Sequence, residues 1–227
     1  MTARDWVVDK LLNDSSGRLD RPTWAITLIG SHAFTVRRPA FPDSYVYCPE
    51  GADTLFTTPD LDQVADEFPA VEFVVLLRRR AANSVYPYAY KRGIAVGRLG
   101  ELRYALEASR DISKFVDRER SYVETRLDTN RSVQMWLRVG ENAYRITRAA
   151  LTPTELTIAT FDEYEATADQ VHSLMEQYSD LDLDALVATN PSTSSFAEPA
   201  RRAAVNAGVK IMIMHQFMTA LGRSWDE

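Results

Sequence analysis

The residues best placed to do chemistry in this sequence are its cations. Arg78-Arg79-Arg80 is followed closely by Lys91-Arg92 and Arg98, and a looser series runs on through Arg103, Arg110, Arg131, Arg138, Arg145 and Arg148. Like charges packed as closely as the arginine triplet repel one another unless an anion or an acidic partner answers them. Arginines in that setting neutralise phosphates. Tyr86, Tyr88 and Tyr90 alternate beside Lys91 and Arg92, a pattern that serves base stacking where the rings are exposed and an interface where they are partly buried. Between residues 110 and 128 the arginines have a simpler reading. Ile112, Phe115, Val116, Tyr122, Val123 and Leu127 share one helical face there, while acids and arginines alternate on the other.

Other chemistries find little support. His32, His172 and His215 fall on different expected elements, and Cys48 is the one cysteine, so no zinc-ligand spacing exists. Ser195 stands in a polar loop without a Gly-x-Ser-x-Gly elbow. Neither a Walker loop nor a dinucleotide fingerprint occurs.

The chain has 227 residues, of which 45% are hydrophobic and 26% charged, a composition that builds a packed core rather than a disordered coil. A single cysteine excludes an internal disulfide, and no apolar run reaches the roughly 18 residues of a membrane helix. The opening MTARDWVVDKLL carries acids where a signal peptide is basic and then apolar, so a cytoplasmic protein is expected, with no membrane partner. The bias of 22 Arg over 4 Lys suggests GC-rich, bacterial coding. Net charge is −6, yet it is unevenly spread: residues 78–148 hold 16 basic and 8 acidic side chains, between flanks holding 6 and 12 and then 4 and 12. The total is therefore a poor guide to partners.

These side chains have to be positioned by elements that follow one order twice. A short helix at 5–12, a hairpin in TWAITLIGSHAFTVRR, a strand near DSYVYC and a helix in PDLDQVADEF come first. The strand EFVVLL, a helix over NSVYPYAYKR, the strand GIAVG and the helix GELRYALEA complete the pass. The second pass runs from a helix at 111–128 through the hairpin SVQMWLRVGENAYRITR, the strand LTIATF and the helix TADQVHSLMEQY. It closes with the strand LDALVATN, the helix AEPARRAAVNAG, the strand VKIMIM and the helix HQFMTALG. Gly30, Ala33, Phe34, Val36, Arg38 and Ala40 match Gly140, Ala143, Tyr144, Ile146, Arg148 and Ala150 at an offset of 110. Asp62-Gln63-Val64 recurs 107 residues later, and Gly93 precedes Gly208 by 115. The offset drifts where loops fall. Two related α/β units are expected, at 1–108 and 109–227.

A unit of helix, three strands, helix, strand, helix, strand, helix resembles the restriction-endonuclease-like fold, the PD-(D/E)xK superfamily, in its Mrr-type branch. The likeness is sharpest in LDALVATNPSTSSFAEPARRAAVNAGVKIMIMHQFMTAL. It implies a tandem pair packed about a pseudo-twofold axis, an internal pseudo-dimer. The family's chemistry sets an acid at the start of the second strand and acid-x-Lys on the third, the carboxylates holding a divalent metal at the scissile phosphate. Here the first repeat offers Ser31-His32-Ala33 and Tyr45-Val46-Tyr47-Cys48, and the second offers Glu141 and Leu156-Thr157-Ile158-Ala159-Thr160-Phe161. Acid-x-Lys is missing from both, so no cofactor and no catalysis of the usual kind are expected. Some nucleases of this superfamily use Glu-x-Glu, which the resemblance carries onto Glu163 and Glu165 with Glu141. The competing reading has these acids capping the helix that contains Asp169.

Three functions follow. The first is a non-catalytic nuclease-fold module that binds nucleic acid, or supports nucleic-acid processing or phage defence, through Arg78, Arg79, Arg80, Lys91, Arg92, Arg145 and Arg148. The second is a protein-interaction or regulatory subunit. The third is a divalent-metal-dependent nuclease using Glu141, Glu163 and Glu165.

Overall fold

The computed structural model describes residues 1–13, 24–149, 151 and 153–225. Thr23 and Ala150, the ends of an expected hairpin and of the matched series, lie outside them. The chain is mixed α/β, with two five-stranded mixed sheets and eight helices among the described residues. It divides into two compact units, Met1–Asp117 and Arg118–Glu227.

The first unit runs α1 (Ala3–Asn13), β1 (Ala25–Ile29), β2 (Ala33–Arg38), β3 (Phe41–Tyr47), α2 (Thr58–Glu67), β4 (Phe73–Val75), α3 (Val85–Lys91), β5 (Ala95–Gly97) and α4 (Leu99–Ala108). Its sheet order is β1-β2-β3-β4-β5, antiparallel through β3 and parallel from β3 to β5. β4 is an unbroken apolar run because both its faces are covered. Phe73 and Val75 enter the core built with α1 and α4, while Val74 enters the core on the α2 and α3 side. Gly30 turns the β1–β2 hairpin at φ 53°, and Gly93 leaves α3 at φ 67°, the left-handed conformation that costs a side-chain-bearing residue most.

The second unit repeats the plan as α5 (Arg118–Thr129), β6 (Val133–Arg138), β7 (Ala143–Arg148), β8 (Glu155–Phe161), α6 (Ala168–Gln177), β9 (Ala185–Ala188), α7 (Glu198–Asn206), β10 (Lys210–Ile213) and α8 (Met214–Ala220). Its sheet order is β10-β9-β8-β7-β6, with the same strand directions. The boundary differs from the one expected at 108. A 3-10 turn at Ile112–Lys114 stands apart from α5, and Ile112 is fully buried in the first unit's core with Leu102, Ala105 and Leu106. The apolar periodicity at 111–128 thus spans two elements that serve different cores.

Side chains repeat along with the strands. Arg38 ends β2 and donates to the carbonyls of Leu106, Ser109 and Arg110, the segment that leaves α4. Arg148 ends β7 and donates to the carbonyls of Pro153 and of Arg223, which lies just past α8. Glu72 accepts the Tyr45 N–H at 3.0 Å, and Asp184 accepts the Thr157 N–H at 2.7 Å. Each of these carboxylates stands one residue outside the central parallel strand and splints it to its neighbour.

Candidate nucleic-acid interface

After β4 the chain bends at Leu77 and Arg78 and then runs alongside Phe56 as an isolated parallel bridge at Ala81. Phe56 N–H donates to the Arg80 carbonyl, and Ala82 N–H donates to the Phe56 carbonyl, both at 2.8 Å. The triplet is split by its surroundings: Arg79 is half-buried between two exposed neighbours. Arg79 turns inward, where its guanidinium meets the carbonyls of Thr54 and Leu55, the Asp60 carboxylate at 3.0 Å and the Phe56 ring. Arg78 and Arg80 are exposed. The arginine triplet is therefore one structural residue between two that face solvent.

Lys91 and Arg92 do not join them. They end α3, the helix that carries the chain from the carboxyl end of β4 back to the amino end of β5, so they sit at the opposite end of that strand pair. Arg92 is held by Asp62 at 2.6 Å and stacks on Tyr88, while Lys91 is exposed. Arg98 follows β5 directly, at the same carboxyl end as Arg78, and is exposed. The alternating tyrosines lie on a helix, where a spacing of two does not share a face. Tyr86 is buried, Tyr88 donates to Asp62 at 2.8 Å, and Tyr90 is exposed. No stacking row results from these three.

In the second unit Arg145 is exposed on β7, whereas Arg148 is fully buried. Three residues apart on a strand, they occupy opposite faces. The expected binding role of Arg148 gives way to a structural one: its guanidinium is spent on internal carbonyls and lies near the Trp225 ring.

The candidate carboxylates do not converge. Glu141 follows β6 and lies 3.4 Å from Gln177 Nε2, whereas Asp162, Glu163 and Glu165 are exposed. Among the described residues, no three His, Cys, Asp or Glu side chains form a group able to hold a metal. The acids do not cap the next helix either. Thr167 does so, accepting the Gln170 N–H while the Gln170 side chain accepts the Thr167 N–H, a reciprocal capping box.

One cluster escaped the sequence reading. At the carboxyl end of β3, the His32 ring packs at 5.7 Å from that of Tyr47, and its Nδ1 stands 3.8 Å from Glu50. Tyr47 donates its hydroxyl to Glu67 at the end of α2, and this bond holds the Glu67 carboxyl below the ordinary carboxylate range. Burial pushes the Cys48 thiol well up, so it keeps its proton and is no nucleophile at neutral pH. Only topology brings these residues together, from a turn, a strand end and a helix end far apart in sequence.

No family model, no curated protein and no solved structure matches the chain.

Proposed function

We propose that the chain is a tandem, catalytically degenerate restriction-endonuclease-like protein that binds nucleic acid, in the service of nucleic-acid processing or defence. The observation that carries the proposal is the exposure of Arg78 and Arg80 on a segment whose middle arginine anchors it from behind. That arrangement presents two guanidinium groups from a fixed backbone, which suits phosphate oxygens better than the same charges on a mobile loop. The repeated element order and strand directions support the family reading. Lysine is absent from β3 and β8, which supports the loss of the usual catalysis.

A protein-interaction role is the second reading, favoured by the exposed Asp162, Glu163 and Glu165 beyond β8 and by the second unit's 11 basic against 16 acidic residues. A salt series on labelled DNA and RNA oligonucleotides separates the two. Affinity that falls steeply with log salt, and is weakened by Arg78→Ala with Arg80→Ala, supports nucleic-acid binding. Lack of retention at low salt overturns it in favour of the protein partner.

A further inference from the structure

Superposing the two units strand by strand aligns Val75 with Val187 and Gly97 with Met212. Carried past the strands at the same sequence offset, Arg78, Arg79 and Arg80 fall opposite Asn190, Pro191 and Ser192, which form a turn. The alignment pairs Lys91 and Arg92 with Asn206 and Ala207, and Arg98 with Ile213. Every cation of the first unit's set thus has an uncharged counterpart in the second. The carboxyl end of the second sheet carries the exposed Asp162, Glu163 and Glu165, with Glu198, Arg201 and Arg202 opening α7, whereas the first sheet's end sets Glu50 and Asp53 beside its arginines. The structural arginine pair, Arg38 and Arg148, is by contrast kept in both copies, buried and bonded to the same kind of carbonyl. The copies therefore share the arginine that holds the fold and differ in those that face solvent.

Resting on the nucleic-acid reading above, we infer that the duplication is functionally one-sided: the phosphate backbone is engaged by the carboxyl end of the first unit's sheet, through Arg78 and Arg80, while the second unit's equivalent end excludes it. Phosphates near Asp162, Glu163 and Glu165 meet like charge, which opposes binding over a Debye length of about 8 Å at physiological salt. Two copies of the fold then give one binding site per chain, without the avidity that two linked sites supply.

The test is fluorescence anisotropy of the full chain with a labelled 20-nucleotide strand and a labelled 20-base-pair duplex, over a salt series. One variant combines Arg78→Ala with Arg80→Ala, and a second combines Arg145→Ala, Arg201→Ala and Arg202→Ala, all exposed in the second unit. The first variant is expected to reduce the slope of log affinity against log salt by about 2, and the second to leave affinity within about twofold. Loss of affinity in the second variant equal to that in the first overturns the one-sided assignment while nucleic-acid binding stands, as does unchanged binding by the first variant. Failure of the unaltered chain to bind either oligonucleotide at low salt overturns the underlying reading itself.

Discussion

At the scale of single residues, similar side chains three positions apart have opposite duties. Arg148 is enclosed and bonded to the carbonyls of Pro153 and Arg223, so Arg148→Ala leaves a cavity and takes a donor from each of these acceptors. A loss of about 3 kcal/mol is expected in urea unfolding, against less than about 0.5 kcal/mol for Arg145→Ala. Equal effects would mean that Arg148 is not a structural clamp. Glu72 shows the electrostatic side of the same design. Burial raises its carboxyl above the ordinary value of 4.5, with Asp111 adding to the rise and the Tyr45 N–H and Arg38 opposing it. The folded state then holds the proton more tightly than the unfolded chain does. The stability contribution is full below pH 4.5 and is lost as pH rises through the folded value. Glu72→Gln keeps an oxygen for the Tyr45 N–H and removes the ionisation, so the variant gains stability over the parent as pH rises from 4 to 7. A flat difference across that range contradicts the assignment.

At the scale of elements, the sequence announces ends as well as interiors. Thr167 and Gln170 cap α6 reciprocally, and Thr167→Ala is expected to cost about 1 kcal/mol, read as a lower urea midpoint at unchanged slope. Gly208 closes α7 at φ 76° with open space around its missing Cβ, so Gly208→Ala costs about 1–2 kcal/mol through backbone conformation alone. The strands and helices were legible because burial imposes a period that composition reveals. Less legible was the direction of polar side chains. The YPYAY run lies on the expected helix, α3, where a spacing of two sends its rings to different faces. Arg79 reads like its neighbours until Thr54, Leu55 and Asp60 arrive from a distant loop.

For the whole molecule, each sheet and each hydrophobic core cluster draws its residues from one unit. Fragments 1–117 and 118–227 are accordingly expected to fold when expressed separately, each showing cooperative urea unfolding and a dispersed amide spectrum. A first fragment ending at 108 loses the Ile112 contact and the carbonyls of Ser109 and Arg110 that receive Arg38, and should be markedly less stable than one ending at 117. The sequence by itself determined the order of elements and the existence of a repeat, because both are written in local periodicity and constant offsets. Tertiary structure decided which cations are available. Arg79, Arg92 and Arg148 are claimed by partners from other elements, and Arg78 and Arg80 are left to solvent. A charge in a sequence carries no record of the carbonyl or carboxylate that folding will bring to it.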